Sequence, residues 1–136
     1  MTIQSLTRAG FIGLIAAVVG NSALFFIGKA VGALPDNVII PNANAPLTIV
    51  SVIFATIFPA IIATLVFGLL ARFTKRPVPV FIVIAVIVFL LTLYSPFSIP
   101  NVPAGMVVVL ELMHVVTALA ITYCLATLTT SKVNPL

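Results

Sequence analysis

Charge is what this chain has least of: six lysines and arginines, two acidic residues and one histidine in 136 positions. A water-soluble domain carries about 25% charged residues, against 6% here, so water is not the main solvent of this sequence. No hydrophilic block is large enough for a separate soluble domain. The acidic residues are Asp36 and Glu111 alone, which leaves no paired carboxylates. A glycine-rich phosphate loop and a Ser/His/Asp arrangement are also missing, so no enzyme class is indicated. Cys124 is the single cysteine. It can form neither an intrachain disulfide nor a thiolate metal cluster and reads as a small core residue inside an apolar run.

What is present is apolar: 62% of the residues. A hydrocarbon core about 30 Å thick needs roughly 20 apolar residues of helix, and four runs qualify, at about 9–31, 47–72, 78–95 and 104–129. The expectation is an all-α membrane protein, one domain built as a four-transmembrane-helix bundle. The first run continues past the usual 7–15 residue core of a secretory signal, so it reads as a span. The basic residues sit at the ends of these runs and form no nucleic-acid face. With four spans, Arg8, Arg72, Lys75, Arg76 and Lys132 fall on one side, with Asp36 and Lys29 near the other. The positive-inside rule then predicts cytoplasmic termini.

Small residues recur at helical spacing in the first span. Ala9, Gly13, Ala17 and Asn21 form one stripe, and Ala16, Gly20, Gly28 and Gly32 another, with Gly28 and Gly32 as a GxxxG pair. Such residues let helices approach closely in lipid, so Gly13, Ala17, Gly20, Gly28 and Gly32 are the expected packing positions, within the chain or in a dimer. Residues 33–46 read as a loop, with Val38 to Ile40 at the interface or packed over the bundle. Pro59 predicts a kink in the second span, and Thr56 could satisfy the disturbed backbone. The third span is nearly featureless and reads as lipid-facing. Tyr94 reads as an interfacial anchor, while Tyr123 needs a partner or the inner interface.

The fourth span carries the polar candidates. At 100° per residue, Val107, Glu111, His114, Ala118 and Thr122 share a face, and Glu111 and His114 are neighbours at i,i+3. An ionisable group in hydrocarbon costs about 2.5–3.5 kcal/mol on insertion scales, so these two must face protein or trapped water. Counting about 1.5 Å per residue from the outer ends puts His114 and Asn21 at similar depth, with Ser51 and Thr56 bracketing it. A polar layer of Glu111, His114, Asn21 and Thr122 joining the helices is therefore expected. It serves either to fix helix register or as an intramembrane proton or ion site. Glu-x-x-His offers two metal ligands on one face, but a di-iron bundle needs further Glu and His residues that this chain lacks. No metal and no cofactor are expected.

The small residues leading into Asn21, the LLARFTKRP turn and the segment LMHVVTALAI together resemble small four-span bacterial membrane proteins of an uncharacterised family, a domain of unknown function. The resemblance covers nearly the whole chain. It implies the four-helix fold in a bacterial cytoplasmic (inner) membrane and makes His114 the recurring polar residue; it implies no activity. The expected role is a non-enzymatic integral membrane protein, a homo-oligomer or an accessory subunit with a membrane-protein partner. The alternative is a small proton or cation transporter or channel using Glu111 and His114.

Overall fold

The computed structural model describes residues 1–129; Lys132, counted above among the topology signals, lies outside them. Four helices are long and apolar enough to cross a membrane: α1 (Ile3–Ala30), α2 (Ile49–Phe73), α3 (Pro77–Thr92) and α4 (Ala104–Leu128). α1 starts six residues before the expected span, because Thr2 and Ser5 close a reciprocal capping box that satisfies the first backbone donors. Its 28 residues extend about 42 Å, more than the hydrocarbon needs, so its first turns project beyond it. Thr48 and Ser51 form the same box at the start of α2. Ser51 is thereby tied to the helix end and not to the polar layer. The 16-residue α3 is completed by a short 3-10 turn, Ser95–Ser98, which lengthens this crossing.

Two apolar clusters fix the bundle from end to end. Ala9, Phe67, Phe81 and Leu125 share one, and Phe25, Val52, Ile99 and Met106 the other. The start of α1, the end of α4 and the turn between α2 and α3 therefore lie at one end of the bundle. α1 packs most extensively on α4, then on α2. α3 is peripheral, burying only Phe81, whose ring meets Phe67 edge to face at 5.1 Å. Most of its other apolar residues, such as Ile82, Val83, Val86, Ile87, Leu90 and Leu91, face outward, as its featureless sequence suggests.

The connection between α1 and α2 holds more structure than a plain loop. Val38 is buried over the bundle, but Ile39–Ile40 then pairs antiparallel with Ala45–Pro46. Asn44, at φ 47°, supplies the left-handed residue that a short hairpin loop requires. Lys29, at the end of α1, pairs with Asp36 of this connection. In α2 the helix runs on through Pro59. Thr56 does not serve the Ala55 carbonyl, since its hydroxyl donates to Val52 one turn back (2.8 Å).

The small-residue stripes are used unequally. Ala9, Gly13, Ala17 and Asn21 are all buried. A methyl group on Gly13 would come within 3.2 Å of the Ile121 Cα, so the backbones of α1 and α4 nearly touch there. Gly20 faces Val116, and Gly28 faces Leu34 and Val109, whereas Ala16 is exposed. Gly32 is a correction: nothing lies within 4 Å of the space its side chain would fill, and its φ is +73°. It ends α1, with Ala33 N–H bonding the Gly28 carbonyl (2.8 Å) and its own N–H bonding Lys29 (3.1 Å). This is the Schellman arrangement, so the GxxxG spacing arises from a helix stop and not from a packing pair.

Candidate functional site: a polar seam beside an intramembrane cavity

Three helices meet at Asn21. Its side-chain amide donates to Thr56 of α2 at 2.9 Å and to Thr117 of α4 at 2.8 Å. Asn21 is only 3% exposed and Thr56 2%, so the bonds form where no water competes. The expected layer joining three helices is present, though with different members. Thr117 is one turn deeper than counting from the helix ends suggests. The signal was a hydroxyl within the apolar run, three residues beyond His114, and the face drawn through Glu111 and Thr122 passed it by. Asn21 Oδ1 has no hydrogen-bond partner among the described residues.

Glu111 and His114 do not join each other. His114 Nδ1–H donates to the Leu110 carbonyl at 2.7 Å; a carbonyl only accepts, so this bond puts the proton on Nδ1. Both Glu111 carboxyl oxygens are buried and lack a hydrogen-bond partner among the described residues. The i,i+3 spacing puts the two residues on adjacent parts of the helix surface, but the imidazole turns to its own backbone.

Beside this seam lies a cavity of about 420 Å³. Val52, Thr56, Pro59 and Val66 of α2 line one wall, Phe81, Ala85, Val88 and Thr92 of α3 another, and Met113, His114, Ala118 and Thr122 of α4 a third. Asn21 reaches it from α1. The α4 residues lining it, from Met113 to Thr122 around the helix, span an arc of about 180°, at 100° per residue. By angle Glu111 falls inside that arc, between Ala118 and Thr122, yet its side chain does not line the cavity. Thus Asn21, His114 and Thr122 share one space, and Glu111 is set apart from it.

Tyr123 is 69% exposed on the outside of the bundle, within two turns of the C-terminal end of α4. Cys124 is buried against Gly13. Among the described residues no group of three or more His, Cys, Asp or Glu could hold a metal ion.

Residues 1–131 match the model of a family described as a family of unknown function (DUF6069). No curated protein and no solved structure matches the chain.

Proposed function

Because the chain belongs to the DUF6069 family of unknown function, we propose its role from geometry: a non-enzymatic integral membrane protein that works as a homo-oligomer or as an accessory subunit of a larger membrane assembly. The supporting observation is the use of the mid-bundle polar groups. Asn21 ties α1 to α2 and α4, and His114 is bonded to its own helix. The Glu111 carboxyl stands apart with no partner among the described residues. Such a seam fixes how helices register, and the Glu111 and His114 groups that proton or ion transfer would use are not joined to each other.

The bacterial cytoplasmic membrane, with both termini cytoplasmic, is the setting that fits the charges. Lys29 is neutralised by Asp36 at one end. Arg8, Arg72, Lys75 and Arg76 are not in any ion pair among the described residues, and they belong to the other end. That asymmetry is the one the positive-inside rule reads.

Size measurement of the full chain in nanodiscs, with identification of co-purifying protein, tests the role. A defined oligomer or a stoichiometric partner is expected; a monomer without partner would overturn it. A small proton or cation transporter is the alternative, favoured by the Glu111 oxygens, which have no partner among the described residues. It requires an ion flux in liposomes that Glu111→Gln abolishes, while the accessory role requires that no such flux exist.

A further inference from the structure

We propose that the cavity between α2, α3 and α4 is a binding site for a single-chain amphiphile: an alkyl or isoprenoid chain carrying a hydroxyl group, held with that hydroxyl on His114 Nε2.

Shape decides the class of occupant. The α2 wall runs from Val52 to Val66, 14 residue steps or about 21 Å along the helix axis. Spread over that length, a volume of about 420 Å³ for the centre of a water-sized sphere gives, with the sphere's own radius added, a cross-section of roughly 50 Å². A transmembrane helix, 10–12 Å across, needs at least about 80 Å², so a partner helix does not fit. One extended hydrocarbon chain does. The volume also lies within the range of about 300–1,000 Å³ typical of small-molecule sites.

The protein does not fill this space itself. α3 touches α2 through Phe81 and Phe67 near the tight turn that joins them. Beyond that contact its inward face, Ile84, Ala85, Val88 and Phe89, lines the cavity without closing it. The aromatic pair stops the inner end, so a chain enters from the other end or sideways between the helices. An unfilled apolar void forfeits dispersion contacts along every wall, and hydrocarbon chains surround this one.

The polar atoms in the cavity call for a donor. With Nδ1–H committed to the Leu110 carbonyl, Nε2 of neutral His114 is an acceptor, and the ring lines the cavity. Pro59 has no N–H to give the Ala55 carbonyl, and both residues are on the wall. Asn21 is at the same level, with Oδ1 unpartnered among the described residues. Thr56 and Thr92 direct their hydroxyls to backbone carbonyls of their own helices. Thr117 and Thr122 add two more hydroxyls to a wall whose other residues are apolar. A hydroxyl on a hydrocarbon chain suits both features at once.

The test uses the full chain in detergent micelles, with hexadecan-1-ol and its methyl ether as probes and the thermal unfolding midpoint as readout. The alcohol should raise the midpoint and bind roughly three- to tenfold tighter than the ether, the value of one hydrogen bond. Ala85→Leu, which fills the groove from α3, should remove both shifts. His114→Phe should bring the alcohol down to the ether. Equal shifts from alcohol and ether in the unmodified protein would overturn the hydroxyl recognition, with no variant required. Shifts that survive Ala85→Leu would overturn the cavity as the site.

Discussion

Asn21 and Thr117, 96 positions apart in sequence, are joined by a 2.8 Å hydrogen bond between the first and last helices of the bundle. The same amide reaches Thr56, so one side chain holds three helices in register.

Removing that amide should loosen the bundle by a modest amount. Interhelical hydrogen bonds in membranes average about 0.6 kcal/mol and reach about 1–2 kcal/mol. Asn21→Ala should therefore cost about 1–2 kcal/mol in a steric-trap or denaturant titration in bicelles. Thr117→Val, which keeps the shape and deletes one acceptor, should cost about half as much. Equal values near zero would mean that the bonds do not form in the membrane.

Glu111 should be a liability to the isolated chain. Both of its oxygens are buried without a partner among the described residues, and a carboxyl at this depth costs about 2.5–3.5 kcal/mol on insertion scales. Glu111→Leu is expected to stabilise the protein by about 1 kcal/mol or more in the same unfolding assay. A loss of stability would reveal a donor that another molecule supplies.

The glycines should separate by what each one faces. Gly13→Ala pushes a methyl against the backbone of α4, 3.2 Å from Ile121 Cα and 3.3 Å from the Ala120 oxygen. Backbone cannot turn aside, so a cost of about 1–3 kcal/mol follows. Gly20→Ala meets only the Val116 side chain and should cost less. Gly32→Ala has open space but a φ of +73°, and should cost about 1 kcal/mol through backbone strain. Gly32→Asn should recover most of that, since Asn tolerates this conformation. Midpoints for the four variants test the order.

Orientation is measurable by cysteine labelling in a Cys124→Ala background. Ser98→Cys, in the connection before α4, should react with a membrane-impermeant maleimide in intact cells. Lys75→Cys, in the basic turn, should react only after permeabilisation. The reverse pattern would invert the topology.

The four crossings were legible in the sequence because bilayer thickness demands long apolar runs and few other structures produce them. The buried stripe Ala9, Gly13, Ala17, Asn21 was legible for a similar reason, as small residues at helical spacing have one principal use in lipid. Other features turn on single torsions or single atoms. His114 could have bonded Glu111 or the Leu110 carbonyl, and spacing alone does not choose between them. Gly28 and Gly32 match a packing motif letter for letter, yet a left-handed φ makes the second a helix terminator. The Ile39–Ile40 and Ala45–Pro46 hairpin has strands of two residues each, too short for any alternation pattern to register. The cavity is invisible in one dimension, because it arises from where α3 fails to reach.

The near-contact of backbones at Gly13 and Ile121 also bears on how the protein is made. Synthesis delivers the first helix to the bilayer long before the last, and α1 finds its most extensive packing on α4. Until α4 enters the bilayer, Gly13 lacks the backbone it packs against, and the α1–α4 part of the bundle waits on that segment. An insertase or chaperone that shields the small-residue stripe of α1 has its opportunity in that interval.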